Sequence, residues 1–172
     1  MKLKKCNLLL LLFLFFTPVD SKEEKILISD KEYSFYTGTF DTIDKEGDDK
    51  ATIYGFEHNN PILFRETLVG KFSPISGVFM TNKNSIYLYT GVQAKYEIGS
   101  LNIIPSFAPG YYDNGKGKDL GMALEFKSEI KLSFDIFKDS TIGYSYSHIS
   151  NNDWGERNPG VNNQTISFSK TF

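Results

Sequence analysis

The stretch that decides the fold is LGMALEFKSEIKLSFDI, which runs from Leu120 to Ile136. Its even-numbered positions are almost all apolar, whereas its odd-numbered positions carry small residues and charges of both signs. Alternation with period two is typical of a β-strand whose two faces meet different environments. Strands of soluble proteins usually run for about 5–6 residues. A two-faced segment of this length therefore favours a transmembrane β-barrel, with its apolar face toward lipid.

The same alternation recurs along the chain in eight segments. It predicts strands over residues 33–41, 50–58, 68–80, 85–97, 101–110, 120–136, 140–150 and 162–172. Pro105 and Pro109 have no backbone donor, so we expect a bulge or an early strand end in the fifth segment. Eight strands is the lower limit for bacterial barrels of this kind. The sequence thus predicts an all-β fold, an eight-stranded antiparallel transmembrane β-barrel over residues 22–172.

The connections between these segments agree with a barrel in the bacterial outer membrane. If the N-terminus lies in the periplasm, the connections 42–49, 81–84, 111–119 and 151–161 lie outside the cell, and three of them are long. Two inner connections are tight turns, whereas 59–67 is longer than a periplasmic turn should be. An eight-stranded barrel leaves little lumen, so we expect its inward charges to form a packed ionic plug rather than a pore; these are Glu125, Lys127, Glu129 and Lys131.

The first 21 residues have the features of a secretory signal peptide. Three lysines precede an apolar run from Leu8 to Phe16, which is too short to span a bilayer as a helix. The alternative is a buried N-terminal helix, but Pro18 and the charged residues 22–25 would end it abruptly. We therefore predict a signal peptide over residues 1–21 and an exported chain.

Composition excludes several classes of protein. The chain has 172 residues, a formal net charge of -2 and a single cysteine, which lies in the predicted signal peptide. These features exclude a disulfide framework and a cysteine-based zinc site, and they give no reason to expect nucleic acid as a partner. No cluster of metal ligands is visible, so we predict no metal and no cofactor. A mean hydropathy of -0.30 argues against a helical membrane protein but not against a barrel.

Three polar residues share the lipid-facing side of the last two segments. His148 and Ser150 follow the parity of the outward tyrosines of the seventh segment, and Asn162 follows the outward parity of the eighth. A nucleophilic serine with a histidine base needs both side chains on one face, which the spacing i, i+2 on a strand provides. The alternative is that these residues are interfacial polar groups that border an aromatic girdle. His58, next to Asn59, Asn60 and Pro61, is expected to be a turn or interfacial residue.

The motifs HISN at 148–151 and NPGVN at 158–162 resemble the signature of the lipid A 3-O-deacylase (outer-membrane acyloxyacyl hydrolase) family. Looser similarities occur at 38–41, 106–111 and 120–126, and the chain ends on the alternating stretch ISFSKTF, as outer-membrane proteins do. The resemblance implies that Ser150 is the nucleophile, His148 the base and Asn158 part of the oxyanion hole. Asn151 and Gly160, within the same motifs, are expected to position substrate or the oxyanion.

The departure from the family pattern is Asn162, where the family carries a glutamate that orients the histidine. An amide oxygen can accept the ring N–H, as in Cys-His-Asn enzymes, but it supplies no full negative charge. Asp153 and Glu156 could substitute for the glutamate, although both are expected to be solvated loop charges.

The resemblance implies an ester hydrolase that removes the 3-O-linked acyl chain of lipid A. Its site would face the outer leaflet, and its partners would be lipid A and outer-membrane lipids. The alternatives are a non-catalytic structural barrel and an esterase that acts on phospholipids. No feature of the sequence predicts an oligomeric state.

Overall fold

The computed structural model describes residues 31–43, 49–68 and 70–172. The predicted signal peptide, residues 1–21, lies outside the described residues. No helix in this part of the chain is long and apolar enough to cross a membrane. The regular structure consists of β-strands: β1 (Glu32–Phe40), β2 (Ala51–Asn59), β3 (Arg65–Thr67), β4 (Gly70–Thr81), β5 (Ile86–Ala94), β6 (Tyr96–Ile98), β7 (Leu101–Asp113), β8 (Leu124–Phe137), β9 (Ser140–Ser150) and β10 (Val161–Thr171).

These strands close into an antiparallel barrel. Strand β1 pairs with β2 and with β10, and the ring continues through β4, β5, β7, β8 and β9. Short β6 continues β5 along β7 in the same register, so the barrel wall has eight strands. Closure pairs every long strand on both sides, which is what a chain needs where lipid offers no hydrogen-bond partner. The predicted eight-stranded antiparallel barrel is confirmed.

The early strand end expected at the prolines is wrong. Strand β7 continues to Asp113, and its ladder with β8 includes the pairs Pro105–Ile130 and Pro109–Phe126. The ladder with β5 runs to the pair Tyr89–Gly110 and resumes at Val92–Phe107 in the same register, without a bulge. A missing donor affects only the neighbour toward which that N–H would point, so the other ladder holds the strand.

The predicted start of the sixth strand at Leu120 is also wrong. Strand β8 begins at Leu124, and Leu120 is fully buried instead of lipid-facing. Gly121 has a φ of +91°, which an extended strand does not allow. The residues before Leu124 therefore belong to a connection that folds over one end of the barrel.

The connections make the two ends of the barrel unequal. One end, here called the long-loop end, carries the connections 41–50, 82–85, 114–123 and 151–160. The opposite end has the tight turns 99–100 and 138–139 and the longer connection 60–69. Part of that longer connection is β3, which pairs with the first residues of β4. Pairing with the wall thus accommodates the connection that was too long for a simple turn.

An ionic cluster fills the middle of the barrel, as predicted. Lys131 donates to the buried Glu57 carboxylate at 3.0 Å and Lys127 at 3.4 Å, and the Tyr89 hydroxyl donates at 2.7 Å. Lys127 also contacts Glu129 at 3.5 Å. The cavity left among these side chains is only about 10 Å³, which excludes an open pore there. Glu57, from β2, is the partner that the sequence analysis did not identify.

Glu125 does not belong to this cluster, contrary to the prediction. Its side chain is fully buried near the long-loop end, and neither carboxylate oxygen has a hydrogen-bond partner among the described residues. The alternation placed Glu125 inside the barrel correctly. It could not show that the side chain lies in an apolar layer beyond the reach of the lysines.

That apolar layer closes the barrel beneath the long-loop end. Its buried members are Phe40, Ala51, Ile53, Ile75, Phe79, Tyr87, Tyr89, Ala108, Tyr112, Leu120, Ile149 and Val161. Ile149 and Val161 are inward neighbours of the predicted site residues. Because alternate residues of a strand point in opposite directions, their burial holds His148, Ser150 and Asn162 on the outer surface.

Candidate active site

Strand β9 presents an aromatic and polar row to the outside. Tyr144, Tyr146 and His148 are exposed, whereas the residues between them are buried. The outward parity predicted for His148 is therefore confirmed. Ser150, the last residue of β9, follows the same parity and is half-buried.

His148 and Asn162 form the best-defined contact of the site. They are direct cross-strand partners on β9 and β10, and the imidazole Nδ1 lies 3.0 Å from the Asn162 Oδ1. An amide oxygen only accepts, so Nδ1 carries the hydrogen of this bond. The other ring nitrogen, Nε2, then has a free lone pair, which is the tautomer that a general base requires.

Tyr146 is a third member of this group that the sequence analysis missed as a site residue. Its hydroxyl donates to the same Asn162 Oδ1 at 2.9 Å. The signal was present, because Tyr146 shares the parity of His148 and lies two residues before it. What the sequence did not give was the register that places Asn162 within reach of both side chains.

Ser150 lies beside this group without bonding to it. The Ser150 hydroxyl has no hydrogen bond to any described residue, and the hydrogen bond recorded for the His148 ring goes to Asn162. Two Cα atoms at i, i+2 on a strand are about 6.7 Å apart, and catalytic hydrogen bonds are often loose without substrate. Ser150 as nucleophile remains a prediction.

Ser128 is a second serine next to the imidazole. It is exposed on β8 and is the direct cross-strand partner of His148, whereas Ser150 pairs with Phe126. Side chains of directly opposite residues have Cβ atoms about 5 Å apart. The structure thus brings two serines to His148, and only the family motif distinguishes Ser150 from Ser128.

Asn151 and Asn158 hold the 151–160 connection in place. The buried Asn151 amide donates to the carbonyl oxygens of Leu120 at 3.0 Å and Arg157 at 2.9 Å. Asn158 accepts from the Asn151 backbone N–H at 3.1 Å and donates from Nδ2 to Asp153 at 3.1 Å. Asn151 uses both hydrogens of its amide in these bonds, whereas Asn158 keeps one N–H that no described residue accepts. The Asn151 side chain therefore has no hydrogen left for an oxyanion, and the part of Asn158 in an oxyanion hole remains a prediction.

The two acids considered as substitutes for a glutamate do not contact His148. Asp153 bonds to Asn158, and Glu156 is exposed in the connection.

His58 lies near the opposite end of the barrel, where its ring is 5.0 Å from that of Tyr33. This position agrees with the expected interfacial role.

Gly160 borders the reactive edge of the imidazole. A Cβ at this position would lie 3.0 Å from Cε1 and 3.4 Å from Nε2 of His148. Its φ of +58° also favours glycine over any other residue. The backbone can therefore approach the ring edge from which a proton would be exchanged.

Aromatic rings lie next to Ser150, on the side of the neighbouring strand β8. Phe126 stacks on Phe107 with a centroid distance of 6.0 Å, and the Trp154 ring meets Phe126 edge-on at 5.1 Å. These three residues are here called the aromatic row. Because Phe126 is opposite Ser150, the row begins directly beside the candidate nucleophile.

Charged side chains brace the connections above the site. Lys118 contacts Asp41 at 2.6 Å, and Arg157 pairs with Asp119. The Gly121 N–H, which donates to Asp119 at 2.8 Å, and Arg157 lower the pKa of the Asp119 carboxyl. A cavity of about 510 Å³ opens between these connections and is bordered by Arg157, Asn158 and Pro159 among others. The described residues contain no group of three or more side chains suited to a metal ion.

Taken together, the closed eight-stranded wall and its exposed apolar side chains define a transmembrane β-barrel protein that carries a group of polar side chains on its outer surface. The family model of the lipid A 3-O-deacylases (PagL) matches residues 46–171. The chain therefore belongs to the lipid A 3-O-deacylase family, as the motifs suggested.

Solved structures show the same fold. The chain is similar to the outer-membrane enzyme PagL, with 14% identity, a TM-score of 0.64, and coverage of 82% of this chain and 99% of that one. It is also similar to a de novo designed transmembrane β-barrel (9% identity, TM-score 0.54, coverage 82% and 95%). A third match is the Yersinia pestis outer membrane protein Ail (12% identity, TM-score 0.50, coverage 82% and 99%). No curated protein sequence matches the chain at a significant level.

Proposed function

We propose that this protein removes the 3-O-linked acyl chain of lipid A by a Ser-His mechanism on the outer surface of its barrel. Family membership supports the reaction and the outer-membrane location. The observation that carries the mechanism is the 3.0 Å bond from His148 Nδ1 to Asn162, which leaves the lone pair of Nε2 available to act as a base.

In the proposed reaction, the Ser150 Oγ attacks the carbonyl carbon of the acyl ester while its proton passes to Nε2 of His148. The tetrahedral intermediate then collapses, and the imidazolium returns the proton to the departing sugar hydroxyl. Water, activated by the same imidazole, hydrolyses the acyl-serine and releases the fatty acid. Asn162 holds the ring in the required tautomer throughout.

Oxyanion stabilisation would come from the 151–160 connection. The Asn158 amide has two N–H donors and only one of them is bonded to Asp153, so its second N–H and the backbone N–H groups of this connection are the candidate donors. The bonds from Asn151 to two neighbouring carbonyls keep the connection close to Ser150. Such fixed donors stabilise charge without reorganisation during the reaction.

The surroundings of the site suit a lipid substrate in the outer leaflet. The candidate residues lie at the long-loop end of the wall, which faces the cell exterior if the N-terminus is periplasmic. An acyl chain whose ester carbonyl is at Ser150 could extend along the aromatic row. Residues 1–21 would serve as the signal peptide that exports the chain.

A non-catalytic barrel is the second candidate, because Ser150 lacks a hydrogen bond to His148 and an amide replaces the family's acid. To separate the two, purified protein in detergent would be incubated with lipid A, and fatty acid release would be measured by mass spectrometry. The Ser150→Ala and Ser128→Ala variants each remove one hydroxyl beside His148 and form a matched pair.

We expect release by the wild type and by Ser128→Ala, and none by Ser150→Ala. Loss of activity in Ser128→Ala alone would reassign the nucleophile. No release by any of the three folded proteins would support the non-catalytic barrel. Release from phospholipid but not from lipid A would instead indicate a phospholipid esterase.

A further inference from the structure

We infer that Tyr146 is a positioning residue that holds the Asn162 amide in the orientation His148 needs. The inference rests on the proposed function and extends it to a residue outside the family motif. The Asn162 Oδ1 receives two donors, the His148 Nδ1–H at 3.0 Å and the Tyr146 hydroxyl at 2.9 Å. A carbonyl oxygen has two lone pairs, so both are occupied.

The Tyr146 side chain extends past its direct cross-strand partner to make this contact. Tyr146 pairs directly with Gln164, yet its hydroxyl bonds to Asn162, two residues farther toward the long-loop end. Tyr144, on the same face of the same strand, is a similarly exposed residue (47% against 40% for Tyr146). Its hydroxyl has no hydrogen bond among the described residues. The bond from Tyr146 is thus a specific contact and not a general property of outward tyrosines.

An asparagine at position 162 must be held in one rotational orientation of its amide, whereas an acid at this position would not need to be. Both oxygens of a carboxylate accept, so rotation of an acid still offers His148 an acceptor. An amide has two unlike ends, and a rotated amide would present its NH₂ group to Nδ1. That arrangement favours the tautomer with hydrogen on Nε2, which cannot take a proton from a serine. A hydroxyl bonded to Oδ1 restrains this rotation.

The test is Tyr146→Phe, which removes the hydroxyl and keeps the ring, with Tyr144→Phe as its matched control. We expect kcat to fall about 5- to 10-fold with KM unchanged, as loss of one hydrogen bond implies, and the control to match wild type. In the Asn162→Asp background, where either oxygen serves, the effect of Tyr146→Phe should shrink below about 2-fold.

Equal losses in both backgrounds, no loss in either, or a change in KM alone would each overturn the inference. A measurement independent of activity is the ¹⁵N spectrum of the His148 ring in micelles. It should show one tautomer in the wild type and a mixture in Tyr146→Phe, and identical spectra would contradict the inference. If Ser150→Ala abolishes fatty acid release while Tyr146→Phe leaves kcat and the ring spectrum intact, only this inference fails. If neither Ser150→Ala nor Ser128→Ala has an effect, the proposed function fails.

Discussion

Replacing Asn162 by aspartate restores a negative charge to the His148 partner without changing the shape of the side chain. The exchange places a carboxylate oxygen where the amide oxygen now lies, 3.0 Å from Nδ1. The proposed mechanism has an imidazolium at both transition states, and the charge stabilises that cation more than the neutral ring. We therefore expect Asn162→Asp to be faster than the wild type.

The size of the gain follows from the distance. Two unit charges 3 Å apart attract by about 1.4 kcal/mol at the dielectric constant of water and by about 5.5 kcal/mol at an effective value of 20. Because His148 lies near the long-loop end of the wall, where the lipid surface meets water, we take the lower figure as the expected scale. It corresponds to a rise in kcat of about 10-fold.

The same interaction sets the direction of the pH effect. A carboxylate that stabilises the imidazolium keeps the ring protonated to higher pH, and only the neutral ring can act as the base. The acidic limb of the kcat profile should move upward by about one pH unit, since one unit corresponds to about 1.4 kcal/mol.

The assay is fatty acid release from lipid A by the purified protein, measured across pH. Gln164→Glu is the control, because it adds the same charge on β10, two residues from Asn162 and with the same parity. We expect the control to leave kcat and the acidic limb close to wild type. An Asn162→Asp variant that is folded and yet no faster, with an unmoved acidic limb, would refute the role assigned to Asn162.

Three further substitutions test the barrel and the site. Glu57→Gln leaves the buried Lys131 without its carboxylate and Lys127 with Glu129 alone, so the free energy of unfolding should fall by about 3–5 kcal/mol in urea titrations. A loss below about 1 kcal/mol would contradict the ionic cluster. Glu125→Met replaces a buried carboxyl that has no hydrogen-bond partner among the described residues by an apolar side chain of similar length. The urea concentration at the midpoint of unfolding should therefore rise. A fall would show that the carboxyl has a partner. Gly160→Ala places a methyl group 3.0 Å from the His148 ring, at a backbone φ of +58° that disfavours alanine. We expect kcat to fall at least 10-fold. An unchanged kcat would show that Gly160 is not part of the site.

The alternation in the sequence predicted the barrel because every strand of its wall has one lipid face and one interior face. It failed at Leu120, where apolar parity continues beyond the strand although the residue folds over the barrel mouth. The expectation of a bulge or an early strand end at Pro105 and Pro109 was also wrong, since the sequence does not show toward which neighbour the missing donor would point. Both errors concern how a segment packs against the rest of the chain, which local pattern does not contain.

The sequence likewise predicted one part of the candidate site and missed another. Parity along two strands placed His148 and Asn162 on one surface, and their 3.0 Å contact agrees with that prediction. Tyr146 and Ser128 were missed because their contacts depend on the register between strands. That register follows from pairing of the whole wall, which no single segment specifies.

The most direct test of the central claim is the mass spectrum of lipid A from cells that express the wild type or the Ser150→Ala variant, with insertion of both proteins confirmed. The wild type should yield lipid A that lacks the 3-O-linked acyl chain, and the variant should leave that chain in place. The same acylation pattern from both strains would contradict the assignment of Ser150 as the nucleophile of a lipid A deacylase.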